Sequence, residues 1–338
     1  MTTDFGLIAD IGGTNARFAL APRVAENPAQ PGTVLLSEHD LVAQKTLNGK
    51  DYDTIGEAIE AYLASVADTY GRPRRGCLAI AWPTDQDTVR MTNHTWTFSV
   101  QALRQALGFD ELEFINDYHA LANAIPYLGA EGAVQVGEGT PVPGKPMAVT
   151  GPGTGLGLAA LAFSAAGPFT LETEGGHAHF AATDEVELKI TEFLLRELPR
   201  VSNERLLSGM GLENIYRALA HLGGQRAEPL AAPEISQRAV AGSDPLCVSA
   251  LERFCAVLGS YAGDVALSFA ARGGVYIAGG IIPRFMPFFA GSAFRQRFID
   301  KARFQSFNAN IPTYVVVSAQ PGLLGAGAVL NYHWAARI

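Results

Sequence analysis

The chain has 338 residues, 48% of them hydrophobic and 17% charged, which is enough to bury a large core over two domains and too apolar for disorder. Its net charge of -8, with no basic cluster beyond Arg72–Arg75, argues against nucleic acid or an anionic membrane as the main partner. No run approaches the ~18 apolar residues of a membrane span, and the opening MTTDFG has no basic stretch followed by an apolar one, so a cytoplasmic protein is expected.

Phe5–Leu20 reads FGLIADIGGTNARFAL: an apolar run, a tight turn through Gly12-Gly13-Thr14 and a second apolar run, the pattern of a β-hairpin. Glycines at its tip let backbone N–H groups approach an anion. Asp10, at the end of the first strand, repels a phosphate directly but can hold Mg²⁺, or its waters, beside one. Pro22–Gly49 reads as loop with a short strand. Asp53–Asp68 reads as a helix with apolar positions Ile55, Ala58, Ile59, Tyr62, Leu63 and Val66. Gly76–Trp82 is a buried strand stopped by Pro83. Thr88–Phe98 is rich in β-formers and contains Asn93, His94 and Trp96. Ser99 caps a short helix to Leu107, with Gly108 past its end. Leu112–Ile115 is a strand that delivers Asn116 and Asp117 to the head of a helix, Tyr118–Ile125, where open α/β sheets place their ligands. Pro126–Pro146, rich in Gly, Pro and Glu, reads as a crossing between domains.

The second half opens on the same pattern. Val149–Leu161, VTGPGTGLGLAAL, turns around Gly153-Thr154-Gly155, so the chain reads as two halves built alike, each with a phosphate-binding turn. Phe169–Phe180 carries Glu174, His177 and His179 around a Gly-Gly turn. Glu185–Leu198 and Ser202–Ala218 read as amphipathic helices, with Glu204 near the start of the second. Leu246–Ala271 is a long apolar helix holding Cys247 and Cys255, which together with Cys77 show neither metal-ligand spacing nor a disulfide framework. Gly273–Ile281 is a buried strand ending in Gly279-Gly280, ahead of Pro283 and a helix. Tyr314–Ser318 is a final strand, followed by PGLLGAGA and a terminal helix.

Strands first, then alternation with helices, in both halves, indicate a mixed α/β architecture with its ligand site in the cleft between the halves. Each candidate residue has a plainer reading when taken alone. Asp117 can be a helix cap, His177 a turn histidine, Glu204 a first-turn carboxylate favoured by the helix dipole, and Gly279-Gly280 a strand-end turn. The plainer readings leave the shared order of these features unexplained.

Asp10-Ile-Gly-Gly-Thr14, Asn116-Asp117, Gly151-Pro-Gly-Thr-Gly155 and Gly273–Gly280 together resemble the actin/hexokinase/Hsp70-like ATPase superfamily. Within it, MTNHTW, INDYHALANAIP, TGPGTGLG, EGGHAHF, ERLLSGMGL, GGVYIAGGIIPRF and PGLLGAGA are similar to the bacterial ATP-dependent glucokinase family, from residue 5 to about residue 330. The resemblance implies a two-domain actin-like (ribonuclease H-like) α/β fold, with residues 1–127 and 318–338 in a smaller domain and 128–317 in a larger one. It implies ATP-dependent phosphorylation of glucose to glucose 6-phosphate, feeding glycolysis, in a cytoplasmic homodimer. Asp117 would be the general base toward the 6-hydroxyl, with Asn116, Glu174, His177 and Glu204 binding the other hydroxyls. Ala9, Ile11, Gly12, Gly13, Thr14, Gly153, Thr154 and Gly155 would surround the phosphates of ATP, Gly279 and Gly280 would flank its adenosine, and Asp10 would manage Mg²⁺. Ala9 stands where many relatives have glycine. Asn93, His94 and Trp96 read either as core or as lining the sugar cleft, the second being favoured, and His179 receives no role. Glucose is expected to shift hinges near residues 125–145 and 320, because closure expels water as a competing acceptor.

Three other readings compete. A ROK-family kinase for another hexose or amino sugar would carry a cysteine-rich zinc cluster after its histidine, and no cysteine lies between Cys77 and Cys247. A sugar-sensing transcriptional regulator would need a DNA-binding segment, yet the hairpin begins at Phe5. A nucleotide-binding chaperone or filament protein has no use for Glu-Gly-Gly-His.

Overall fold

The computed structural model describes residues 4–27, 33–82, 86–91, 94–165 and 167–335. In chain order the strands are β1 (Phe5–Ile11), β2 (Asn15–Pro22), β3 (Val42–Asn48), β4 (Arg75–Ile80), β5 (Thr88–Arg90), β6 (Thr97–Ser99) and β7 (Glu111–Asn116). They continue as β8 (Ala133–Gln135), β9 (Met147–Pro152), β10 (Leu156–Ser164), β11 (Gly167–Thr173), β12 (Gly274–Ile277) and β13 (Thr313–Val316). The helices are α1 (Ile55–Tyr70), α2 (Val100–Ala106), α3 (Asp117–Ala124), α4 (Gly129–Gly132), α5 (Glu185–Leu194) and α6 (Gly209–Leu222). After them come α7 (Ala232–Val240), α8 (Pro245–Phe269), α9 (Met286–Gly291), α10 (Phe294–Ile299), α11 (Gln305–Ala309) and α12 (Pro321–Ala335).

These elements form two compact units. One comprises the chain up to Gly132 together with Leu161–Glu172 and the chain from Ser318 onward; the other comprises Ala133–Ala160 and Thr173–Val317. Leu161–Glu172, which the sequence reading places in 128–317, therefore packs with the first unit. It does so because side chains of α3 hold β11 at Thr170 and Glu172.

Both sheets follow one plan. The first has the order β3-β2-β1-β4-β7 and the second β11-β10-β9-β12-β13-β8. In the first, β1 pairs antiparallel with β2 and parallel with β4, and β4 pairs parallel with β7. In the second, β9 and β13 each pair parallel with β12. A central strand that begins a hairpin on one side and has parallel neighbours on the other thus occurs twice, as the mixed α/β expectation requires.

Local chemistry accounts for the element boundaries. Thr54 caps α1 by accepting the Glu57 N–H at 3.2 Å, and Glu57 returns the bond to the Asp53 N–H at 3.0 Å. The buried stripe of α1 is Ile55, Ala58, Ile59, Tyr62, Leu63 and Val66, the positions expected from the helical period. Tyr62 stacks on Phe18 of β2 at 5.1 Å, inside the core that also takes Leu7, Ile11 and Leu78. In the second unit α8 is the central helix, burying Phe254, Leu258 and Ala262 against Phe294 and Phe298 of α10. Cys247 and Cys255 lie on α8, and burial pushes both thiols up to about 12, so they are packing residues. Among the described residues no helix is long and apolar enough to cross a membrane.

Several expectations are corrected. Thr88–Phe98 is two short strands that pair with each other, closed by the Met91 N–H on the Trp96 carbonyl at 3.1 Å. The stretch 126–146, read as a crossing between domains, holds the unit boundary at Gly132 and also contains α4 and β8, an edge strand antiparallel to β13. Glu204 is not at a helix start. It sits in a 3₁₀ turn, Asn203–Arg205, and α6 begins only after Ser208 caps it. Helices α7, α9 and α11 show no signal in the sequence reading, since pieces of five to nine residues are too short to display a period clearly.

One ionic cluster ties the helices of the second unit together. Glu187 of α5, only 1% exposed, meets Arg253 of α8 at 3.0 Å and Arg297 of α10 at 2.6 Å. Asp184 contacts the same two guanidinium groups. Removing one member of such a set leaves buried charge unpaired. Glu187→Ala is expected to destabilise the protein by about 3 kcal/mol, read from denaturant unfolding against wild type.

Candidate functional site

The first unit gathers its candidate residues at one sheet edge. Ile11 is opposite Ile80, and Ile80 is opposite Asn116, so the carboxyl ends of β1, β4 and β7 are flush. Asp10-Ile11 and Asn116-Asp117 therefore leave the same edge with one strand between them, roughly 10 Å apart at the usual strand spacing. At the hairpin tip the Gly12 N–H closes the turn on the Asn15 carbonyl at 3.0 Å, and the Thr14 carbonyl accepts from the Gly49 N–H at 2.8 Å. Those bonds fix the loop from both sides.

Asp10 is in an unusual environment for a carboxylate. The Arg17 guanidinium, opposite it in the β1–β2 register, lies at 3.3 Å. The first turn of α12 crosses directly over it: a Cβ on Gly322 would fall 2.9 Å from the Asp10 carboxyl carbon. Desolvation is the larger effect and raises the Asp10 pKa above the usual carboxylate value, with Arg17 opposing it. The side chain still keeps 26% of its surface exposed, so an oxygen ligand remains reachable. The Arg17 partnership could have been found by counting back from the turn; the crossing of α12 could not.

Asn116 and Asp117 divide the roles that the sequence left open. Asn116 is the N-cap of α3, its side-chain oxygen accepting the Tyr118 N–H at 2.8 Å. Asp117 is the first residue of the helix and its Oδ1 accepts the same N–H at 2.9 Å. The capping position belongs to Asn116.

The second unit brings together Gly153, Thr154, Gly155, Glu174, His177, Glu204 and Gly279. The Gly153 N–H closes the turn on the Gly155 carbonyl at 2.8 Å, and the Gly153 carbonyl accepts from Gly209 at 3.0 Å. Glu204 Oε2 accepts the Leu156 N–H at 3.0 Å, and a Cβ on Gly155 would stand 2.6 Å from that oxygen. Its Oε1 is 3.7 Å from His177 Nδ1, while His177 Nε2 is 3.9 Å from Glu174 Oε2. The imidazole is thus flanked by two carboxylates. Its backbone is held by Arg200, which donates to the His177 carbonyl at 3.0 Å. Gly279 has φ +90°, and its Cβ position would lie 2.6 Å from the Pro152 carbonyl, so it abuts the end of β9 beside the turn. Gly280 is next to it and exposed.

Trp96 does not line a ligand site: it is 3% exposed in the first core, with its indole N–H on the Tyr52 carbonyl at 3.2 Å. His94 packs on Trp96 at 4.0 Å and against Gly49, behind the hairpin tip. Asn93 lies outside the described residues. His179 forms a backbone bridge with Ser202, its side chain exposed. Among the described residues there is no group of three or more His, Cys, Asp or Glu side chains able to hold a metal.

A family model described as Glucokinase matches residues 7–333. The chain belongs to the glucokinase family. It is 45% identical over 329 residues to a glucokinase of Yersinia enterocolitica serotype O:8 / biotype 1B, covering 97% of each chain. It is 44% identical to one of Yersinia pestis (strain Pestoides F), with the same coverage. Among solved structures, the glucokinase from an Antarctic psychrotroph has a TM-score of 0.87 at 38% identity, over 97% of this chain and 98% of that one. A ROK family glucokinase from Streptomyces griseus, in complex with glucose and AMPPNP, shares the fold at TM-score 0.58 and 18% identity.

Asp10 sets up a trade-off in this member of the glucokinase family. A carboxyl whose folded pKa is raised binds more protons folded than unfolded, so its contribution to stability is present at low pH and lost as pH rises through the folded value. At neutral pH its charge weakens the fold. Asp10→Asn is therefore expected to raise the melting temperature at pH 7 by about 2 °C, and to lose that advantage near pH 3. Thermal unfolding of the two proteins at both pH values checks this.

Proposed function

We propose that the chain phosphorylates glucose to glucose 6-phosphate from ATP, with the residues above in the following roles. Asp117 accepts the proton of the 6-hydroxyl as the new P–O bond forms. The flush strand edge supports this reading, because it sets that carboxylate on the same side of the sheet as a phosphate-binding hairpin. Asn116 orients neighbouring hydroxyls. Glu174, His177 and Glu204 bind the remaining ring hydroxyls, each of which is both donor and acceptor and so matches a carboxylate–imidazole–carboxylate set.

Phosphoryl transfer asks for alignment and charge neutralisation more than for covalent chemistry. The Gly12-Gly13-Thr14 and Gly153-Thr154-Gly155 turns offer backbone N–H groups to phosphate oxygens, and such preorganised donors act where charge develops. Ala9 and Ile11 shape the first turn, and Gly279 and Gly280 leave room for the adenosine. Asp10 fits Mg²⁺, a hard cation that needs only one or two carboxylates when phosphates and waters complete its shell. Bound there, it would neutralise phosphate charge. Burial that disfavours a lone Asp10 charge is itself a reason for that carboxylate to take a cation. The same reading makes the protein a cytoplasmic homodimer that feeds glycolysis.

The observation that carries the proposal is the convergence of Glu174, His177 and Glu204 beside a Gly-Thr turn, in a chain of this family. Asp117→Asn tests it. Turnover of glucose is expected to fall by about 10²–10⁴-fold while calorimetric glucose binding persists. Fructose, mannose and N-acetylmannosamine run as parallel acceptors should turn over poorly in wild type. Undiminished turnover in the variant would remove Asp117 as the base, and a preferred sugar other than glucose would overturn the substrate.

A further inference from the structure

Helix α3 and strand β11 are joined by side chains for which the reaction as described has no use. His119, two residues after Asp117, places Nδ1 2.6 Å from Glu172 Oε1. One turn further on, Asn123 donates to Thr170 Oγ1 at 2.7 Å and to the His119 carbonyl at 2.9 Å. Residues 119 and 123 share a helix face, and residues 170 and 172 share a strand face, so the two elements meet at two points in matching register. The hydrogen bond from His119 is the main cause holding the Glu172 carboxyl below its usual range. A glutamate is ionised at neutral pH, so the bond is made to a charged acceptor.

The position of this clasp in the chain gives it a consequence. The boundary of the first unit falls between Glu172 and Thr173, and Glu174 follows immediately. Two residues of extended chain reach about 7 Å at most. The strand end leading into Glu174 is thus anchored to the helix whose first residue is Asp117. We propose that His119 and Glu172 are a positioning pair for sugar binding, fixing the strand end from which the Glu174 loop begins. The inference rests on the assignment of Asp117 and Glu174 to the sugar. Glu172 is 44% exposed, and a polar pair so exposed adds little to global stability. A purely structural role therefore predicts almost no effect of its loss.

The test compares wild type with His119→Phe, Glu172→Leu, the double variant and Glu172→Gln, all in the full chain. Glucose affinity is measured by calorimetry, glucose and ATP kinetics at steady state, and melting temperature by thermal unfolding. Each disruptive single variant is expected to raise the glucose Kd and KM about fivefold to tenfold with the KM for ATP unchanged. The double variant should be no worse than either single, because the two residues act as one unit. Glu172→Gln keeps an acceptor and should recover most of the affinity. An unchanged glucose Kd, additive single effects, or parallel rises in both KM values with a lowered melting temperature would each overturn the pair while leaving the reaction intact. Wild type that binds no glucose would overturn the proposed function and the pair together.

Discussion

A carboxylate and a phosphate repel each other, yet this chain places Asp10 beside a glycine turn suited to phosphate. That constraint organises much of the first unit. Asp10 is set into β1, opposed by Arg17 across the hairpin and roofed by the first turn of α12. Burial disfavours its charge more than Arg17 favours it. The same α12 continues across α3, where the position of a Cβ on Gly325 is occupied by the Ala120 carbonyl. One helix thus bears on both the Asp10 carboxylate and the helix that begins with Asp117.

The second unit meets the corresponding problem with hydrogen bonds in place of a buried charge. Glu204 is aimed by the Leu156 N–H, which follows directly on the Gly153-Thr154-Gly155 turn. His177 is fixed through its carbonyl by Arg200. Glu204 is therefore oriented by a backbone group of the strand that leaves the Gly-Thr turn, and His177 by a neighbouring arginine. A single sheet plan, used twice, supplies a tight turn at the carboxyl end of its central strand and carboxylates on the elements that follow.

Much of this could be read from the sequence. Glycine turns between apolar runs revealed both hairpins, because a tight reversal between buried strands needs small residues at its tip. The period of Ile55 to Val66 revealed α1, and the residues around Asn116-Asp117 revealed a strand feeding a helix. Features that depend on short pieces or on distant partners could not be read. Strand β8 has three residues, too few for any pattern. The placement of Glu204 in a 3₁₀ turn depends on Ser208 taking the cap. For Trp96 the sequence left core and cleft both open, and it is core, its indole N–H finding the Tyr52 carbonyl.

By itself the sequence determined the α/β class, the two glycine turns, the order of the candidate residues and, through dense motif similarity, the family. These are local or cumulative properties: turn chemistry, periodicity and residue order survive without coordinates. Only the tertiary structure decided that Asn116 caps α3, that Arg17 and Gly322 enclose Asp10, that Glu204 is aimed by Leu156, and that His119 reaches Glu172. Each of these joins residues through a register or a helix crossing, and such pairings are settled by how the elements pack.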